Sequence, residues 1–177
     1  MDAARPLILT LAFDEAAFAV LDGLRRRHFP PERNHIPAHL TLFHHLPGER
    51  EAEVVASLRE VCAATPPFPL TVTGPRSLGR GVALALDAPP LAALRWELAR
   101  RWRDHLTPQD RQGFRPHVTV QNKVDPAEAR RLLAELEAGF APLPATGVGL
   151  LLWRYLGGPW GARGSFPFTG AHAPRPA

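Results

Sequence analysis

Apolar positions along the chain switch between two rhythms. The run "LILTLAF" at 7–13 is continuous enough for a buried strand. The following "DEAAFAVLDGLRRRHF" opens on carboxylates and closes on cations, charges that suit the two ends of a helix. Alternation returns in "IPAHLTLFHH" at 36–45, which reads as a strand. Residues 49–64 carry Val54, Val55, Leu58 and Val61 near a helical period and stop before "TPPFP". Next, "FPLTVTGP", "RSL" and "GVALALDAP" suggest two or three strands of a meander that turns around Gly79 and Gly81. The order then recurs, with a helix at about 90–105, a strand at 117–122 and a helix at about 126–138 opened by "DPAEAR". The chain closes on "TGVGLLLWRYLGGPW" and "SFPFTG", a strand and a shorter one. The interval between the two copies is too long for a solenoid and suits two similar lobes of one domain, residues 1–177. A disordered tail is expected from about 171 to 177.

Two stretches break the apolar pattern in the same way. On an ideal strand His39 and Thr41 share one face while Leu40 and Leu42 take the other. In "FRPHVTVQNK" at 114–123, His117 and Thr119 share a face against Val118 and Val120. One such pair is ordinary, because a satisfied histidine and a β-forming threonine are common in sheets. Two copies, each preceded by a proline (Pro37, Pro116) and each with a hydrophobic residue in fourth place, argue for shared ancestry. If both polar faces meet in one cleft, two imidazoles and two hydroxyls converge there. A neutral histidine can then take a proton from a nucleophile while a protonated one gives a proton to a leaving group. Phosphoryl displacement needs such groups on opposite sides of phosphorus. The threonine hydroxyls can hold the nonbridging oxygens between them, and no metal is required.

Composition narrows the surroundings of this chemistry. A chain of 177 residues can bury roughly two-thirds of its unfolded surface in one domain. Cys62 is the only cysteine, so neither an internal disulfide nor a cysteine-based zinc site can form, which fits a reducing cytoplasm. Without a leader pattern or an apolar run of about 18 residues, a soluble cytoplasmic protein with no membrane partner is expected. The net charge of +4, carried by arginine except at Lys123, favours anionic ligands without naming one. "RRR" at 25–27 and "RRWR" at 100–103 read as solvated helix faces. His35, His39, His44 and His45 invite a metal reading. However, His39 and His44 lie five residues apart and face opposite sides of an ideal strand, and no nearby acid or cysteine completes a set, so no metal is assigned. Ser57, Ser77 and Ser165 lie outside any nucleophile-elbow context, and no phosphate-binding P-loop is present.

The paired "HLTL" and "HVTV", and above all "RPHVTV", resemble the two-histidine (2H) phosphoesterase superfamily. Within it, the likeness is to bacterial 2'-5' RNA ligase-like proteins and RNA 2',3'-cyclic phosphodiesterases. It extends over most of the chain, from the strand-helix unit before the first motif to "LWRYLGGPW". The resemblance implies a bilobal α+β fold, with two pseudo-symmetric antiparallel sheets flanked by helices around a central groove. It implies metal-independent, cofactor-free hydrolysis of 2',3'-cyclic phosphates to 2'-phosphates, with a reverse 2'-5' RNA ligase activity. By position His39 is then the proton donor, His117 the acceptor, and Thr41 and Thr119 bind phosphate. Arg115 and Lys123 are candidate substrate cations beside the second motif. Phe43, Trp153 and Tyr155 are candidates to stack on a base, although Trp153 and Tyr155 alternating around Arg154 also suit core packing. The expected partner is RNA with a cyclic phosphate end or a small cyclic nucleotide, bound by a monomer. The lack of a long basic segment argues against large RNA. A non-catalytic RNA- or nucleotide-binding module on the same fold is the alternative, and turnover separates the two.

Overall fold

The carboxylate of Asp14 ends one strand and starts one helix. Its Oδ1 accepts the Ala17 N–H at 3.0 Å, capping the helix, and its Oδ2 accepts the Thr146 N–H at 2.6 Å. These N–H donors hold its carboxyl below the ordinary range. The computed structural model describes residues 5–172. Its strands are β1 (Leu7–Phe13), β2 (Thr41–Leu46), β3 (Phe68–Ser77), β4 (Val82–Asp87), β5 (His117–Gln121), β6 (Leu143–Tyr155) and β7 (Trp160–Pro167). Its α-helices are α1 (Glu15–His28), α2 (Glu51–Ala64), α3 (Pro89–Arg101), the single turn α4 (Pro108–Arg111) and α5 (Pro126–Gly139). Asp125 caps α5 as Asp14 caps α1, accepting the Ala127 N–H at 2.8 Å with Pro126 inside the first turn.

All strand pairs are antiparallel, in the order β2-β1-β6-β3-β4-β5, with β7 also beside β6. The expected α+β architecture with antiparallel halves is therefore present. The halves merge through β6, whose first residues pair with β3 and whose remainder lies between β1 and β7. One half is β2-β1-β6-β7 and the other β6-β3-β4-β5. The β3–β4 connection turns where expected. Gly79 has φ +78°, and a Cβ on Gly81 would meet the Gln121 carbonyl oxygen at 2.1 Å.

Leu7, Leu9 and Leu11 of β1 join Val54, Leu58 and Val61 of α2 and Leu91, Leu94 and Leu98 of α3 in the core. The 3.6-residue apolar spacing of both helices supplies that face. Helix α1 packs on β5, in the other half of the sheet. Among the described residues, no helix is long and apolar enough to cross a membrane. The expected disordered tail lies, from residue 173 onward, outside the described residues.

Candidate active site

Both motif strands are irregular at the same place. In β2, Thr41 lies opposite Thr10 but Phe43 lies opposite Leu9, so Leu42 is an extra residue, a β-bulge. In β5, Thr119 lies opposite Ala83 and Gln121 opposite Val82, so Val120 is extra in the same way. Each threonine is thus followed by a bulge. Strand β2 itself begins at Thr41, leaving His39 on the lead-in, where the Leu40 carbonyl still accepts the Leu11 N–H at 3.0 Å.

The two imidazoles are held alike. His39 donates Nδ1–H to the Pro37 carbonyl at 2.8 Å, and His117 donates Nδ1–H to the Arg115 carbonyl at 2.8 Å. A carbonyl oxygen only accepts, so each ring carries its proton on Nδ1 and leaves Nε2 for chemistry. Burial pushes His39 down to about 4. The Pro37 carbonyl opposes this, and the charge of Arg25, with that of His44 and His117 whenever either carries a proton, adds to it. Burial also lowers His117, against the Arg115 carbonyl and with the charges of Arg76 and His44. Each ring is neutral at pH 7 in the free protein, and the rings are close enough for charge on one to be felt at the other.

Two braces set this arrangement. From α1, Asp22 accepts the Ala38 N–H at 2.9 Å, while Arg25 donates to Asn34 Oδ1 (2.9 Å), the Ile36 carbonyl (3.0 Å) and the Thr119 carbonyl (2.8 Å). One guanidinium therefore ties the lead-in of the first motif to the strand of the second. Arg25 is buried, which corrects the solvated reading of "RRR" at that position; Arg26 and Arg27 remain exposed. The signal was available, because Ala17, Leu21 and Arg25 lie on one buried helical stripe. From α3, Arg95 donates to the Leu42 carbonyl at 2.9 Å and to the Asp110 carbonyl at 2.7 Å. The Asp110 carboxylate in turn accepts the backbone N–H groups of His44 and His45, both at 2.9 Å. No local pattern in "TPQD" signals that this carboxylate serves a distant strand.

Beside His39 lies an apolar pocket of about 280 Å³, lined among others by Thr10, Phe18, Leu151, Trp153 and Trp160. The Trp160 ring is 4.8 Å from that of His39, centroid to centroid, and 6.2 Å from that of Trp153. Trp153 donates Nε1–H to Thr10 Oγ1 at 2.9 Å, which fixes its ring. Trp153, a sequence candidate, is thus at the site, whereas Trp160 was missed. Tyr155 is exposed at the end of β6. Phe43 is a correction: it is fully buried, edge-on to Trp102 and beneath the Arg95 guanidinium, and it cannot meet a base. The bulge at Leu42 put it on the core face.

In the second half, Arg76 pairs with Ala83 and Ala83 with Thr119, so these three side chains share a face. Arg76 was not singled out from sequence, because the extra residue Thr73 in β3 breaks the alternation leading to it. Arg115 is exposed next to His117, and Lys123 is exposed in the turn after β5 with φ 61°. Among the described residues, no three histidine, cysteine, aspartate or glutamate side chains are grouped so as to hold a metal ion.

A family model described as the 2'-5' RNA ligase superfamily matches residues 13–159. No curated protein matches the chain. Among solved structures, TT0787 of Thermus thermophilus is similar with a TM-score of 0.67 and 19% identity, over 94% of this chain and 100% of that one. The crystal structure of a phosphoesterase gives 0.60 and 22%, over 93% and 99%. E. coli LigT complexed with 3'-AMP gives 0.58 and 20%, over 93% and 98%. These structures share the fold, and with the family model spanning both motifs the chain belongs to the 2'-5' RNA ligase superfamily, the 2H phosphoesterases.

Proposed function

We propose that the protein is a 2',3'-cyclic phosphodiesterase that opens the ring by two-histidine acid-base catalysis and leaves a 2'-phosphate. The observation that carries this reading is the duplicated imidazole, pinned through Nδ1 to a carbonyl two residues back in each half. In the forward step His117 Nε2 takes a proton from water as the water oxygen bonds to phosphorus. The bond from phosphorus to the 3'-oxygen breaks, and His39 Nε2 delivers a proton to that oxygen. With a ribose 5'-hydroxyl in place of water, the same step, His117 taking the hydroxyl proton and His39 protonating the departing 3'-oxygen, joins two ends through a 2'-5' linkage.

The donor label on His39 comes from the family resemblance, and it makes a physical demand. A ring held at about 4 in the free protein gains its proton only when the anionic phosphoryl group arrives to offset its burial and the neighbouring Arg25 charge. Thr41 and Thr119 donate to the nonbridging oxygens, and Arg76 adds positive charge on the Thr119 face. Arg115 stands next in line, beside His117, and Lys123 is a more distant candidate. Every proton is moved by imidazole and every oxygen held by hydroxyl or cation, so the mechanism has no step for a metal or cofactor.

The pocket beside His39 is sized for a nucleobase or ribose, between Trp153 and Trp160. Crystal structures of E. coli LigT hold 3'-AMP, NADP+, ATP or phosphate, which supports a nucleotide-sized ligand for this relative of the same fold. We assign the substrate to small cyclic nucleotides or RNA ends, acted on by residues 1–177 as one two-lobed, monomeric cytoplasmic domain. The test is a panel of 2',3'-cyclic nucleotides, cyclic-phosphate RNA ends and a cyclic phosphate of ADP-ribose, offered to chelator-treated protein. Ring opening to the 2'-phosphate supports the reading. Nucleotide binding without turnover of any compound overturns it in favour of a binding module.

A further inference from the structure

Five residues separate His39 from His44, and on an ideal strand they would face opposite ways. The strand is not ideal. The extra residue Leu42 reverses the alternation after Thr41, and a second bulge follows, in which His44 and His45 together lie opposite Ile8. Ile8 and Thr10 share a face of β1, so both histidines return to the face that carries Thr41 and Trp153. This bulge presents two adjacent backbone N–H groups, those of His44 and His45, to one side chain. Asp110 takes them, one on each carboxylate oxygen, and its side chain is fully buried. Its Oδ1 also accepts the His44 ring Nδ1–H at 3.2 Å, while the His44 side chain is 48% exposed. The buried carboxylate takes the Nδ1–H, sets its negative charge against the imidazolium, and leaves Nε2–H of a half-exposed ring free to donate, the arrangement by which an aspartate orients a working histidine. His44 is coupled electrostatically to both His39 and His117, in keeping with its return to their face of the sheet.

We propose that His44 is a third functional imidazole of the site, presented by the Asp110-clamped bulge so that in its protonated form Nε2–H donates to a nonbridging oxygen of the phosphoryl group. The proposal rests on the phosphoesterase reading of the site, and it assigns a substrate-binding role rather than a proton transfer. His45 shares the bulge, but its ring has no tie to Asp110 and serves as the control.

The experiment uses the full chain with His44→Ala, His44→Gln, His44→Asn and His45→Ala, and reads two quantities. One is KM and kcat on a 2',3'-cyclic nucleotide, and the other is the binding of inorganic phosphate, followed by NMR or by competition. A hydrogen bond to a charged group supports a loss of about 10-fold to 100-fold in affinity in His44→Ala. The loss is expected in KM and in phosphate binding, with kcat less affected. His44→Gln should recover much of it, because its amide nitrogen reaches about where the imidazole Nε2 sits, whereas the shorter His44→Asn should not. His45→Ala should match the wild type. Equal losses in the Ala and Gln variants together with a lowered melting temperature would reassign His44 to holding the bulge. Phosphate affinity within twofold of wild type in His44→Ala would overturn the proposal. Phosphate binding is read without turnover, so a protein that hydrolyses none of the cyclic phosphates sinks the proposed activity while the role of His44 is still decided.

Discussion

The two halves of the sheet agree around the reacting group and differ around everything else. Each supplies a histidine pinned to a carbonyl two residues back, a threonine two residues on, and a bulge directly after the threonine. Beyond that, the first half builds an aromatic pocket and the Asp110-held bulge, while the second offers small Ala83 and Ala85 beside Arg76. What recurs is what an in-line displacement needs from two directions. What differs is what distinguishes one end of an asymmetric substrate from the other.

The largest effects should come from the shared part. His39→Ala and His117→Ala are each expected to lower kcat on a 2',3'-cyclic nucleotide by about 10²-fold to 10⁴-fold while phosphate binding survives better. Steady-state kinetics on folded protein checks this, and one variant with wild-type kcat would break the equivalence of the halves. Thr41→Val and Thr119→Val keep shape and remove a donor. Each is expected to cost about 10²-fold in rate, and unchanged kinetics in both would leave the threonines as packing residues.

Smaller effects should fall on one half only. Trp160→Ala should raise KM for a cyclic nucleotide by about 10-fold, within the range measured for one stacked base. It should leave the binding of inorganic phosphate unchanged, since phosphate has no ring to stack. Arg76→Gln should do the reverse, weakening phosphate and nucleotide alike. If both variants weakened both ligands equally, the division of labour between the halves would be wrong.

The smallest effect is on stability. In the folded protein burial holds His39 at about 4, against an ordinary 6.5, so the unfolded chain binds a proton that the folded one refuses. His39 therefore costs stability as pH falls from about 6.5 toward 4 and costs nothing above that window. The melting temperature should drop over that interval, and less so in His39→Asn. Equal pH dependence in the two proteins would mean that His39 is not held neutral.

Much of this was legible in the sequence. The strand and helix order, the duplicated His-x-Thr pairs and the turn at Gly79 and Gly81 all rest on local pattern, and local pattern survives folding. The losses have one physical source, long-range contacts. Bulges at Leu42, at His44–His45 and at Val120 reset which side chains share a face, and no alternation rule anticipates an extra residue. That is why Phe43 was misplaced and His44 set aside. Arg25 and Asp110 were hidden differently: their partners lie far along the chain, so their charges read as surface until the fold buries them. Trp160 entered only because the β6–β7 hairpin folds it back over His39.

The central claim is that one imidazole from each half acts on a single phosphate, and the pH dependence of kcat/KM tests it most directly. Chelator-treated wild type, His39→Ala and His117→Ala would be compared on one 2',3'-cyclic nucleotide, with folding checked by circular dichroism. Both rings sit below their ordinary value in the free protein, and kcat/KM reports the free protein. The account therefore predicts a bell centred below pH 6.5, with its two limbs belonging to the coupled pair. His117→Ala should lose the acidic limb and His39→Ala the alkaline one; loss in the opposite variants would exchange the donor and acceptor labels. A flat wild-type profile between about pH 4 and 8, across the range where imidazoles change charge, or turnover abolished by the chelator and restored by zinc or manganese, would contradict it.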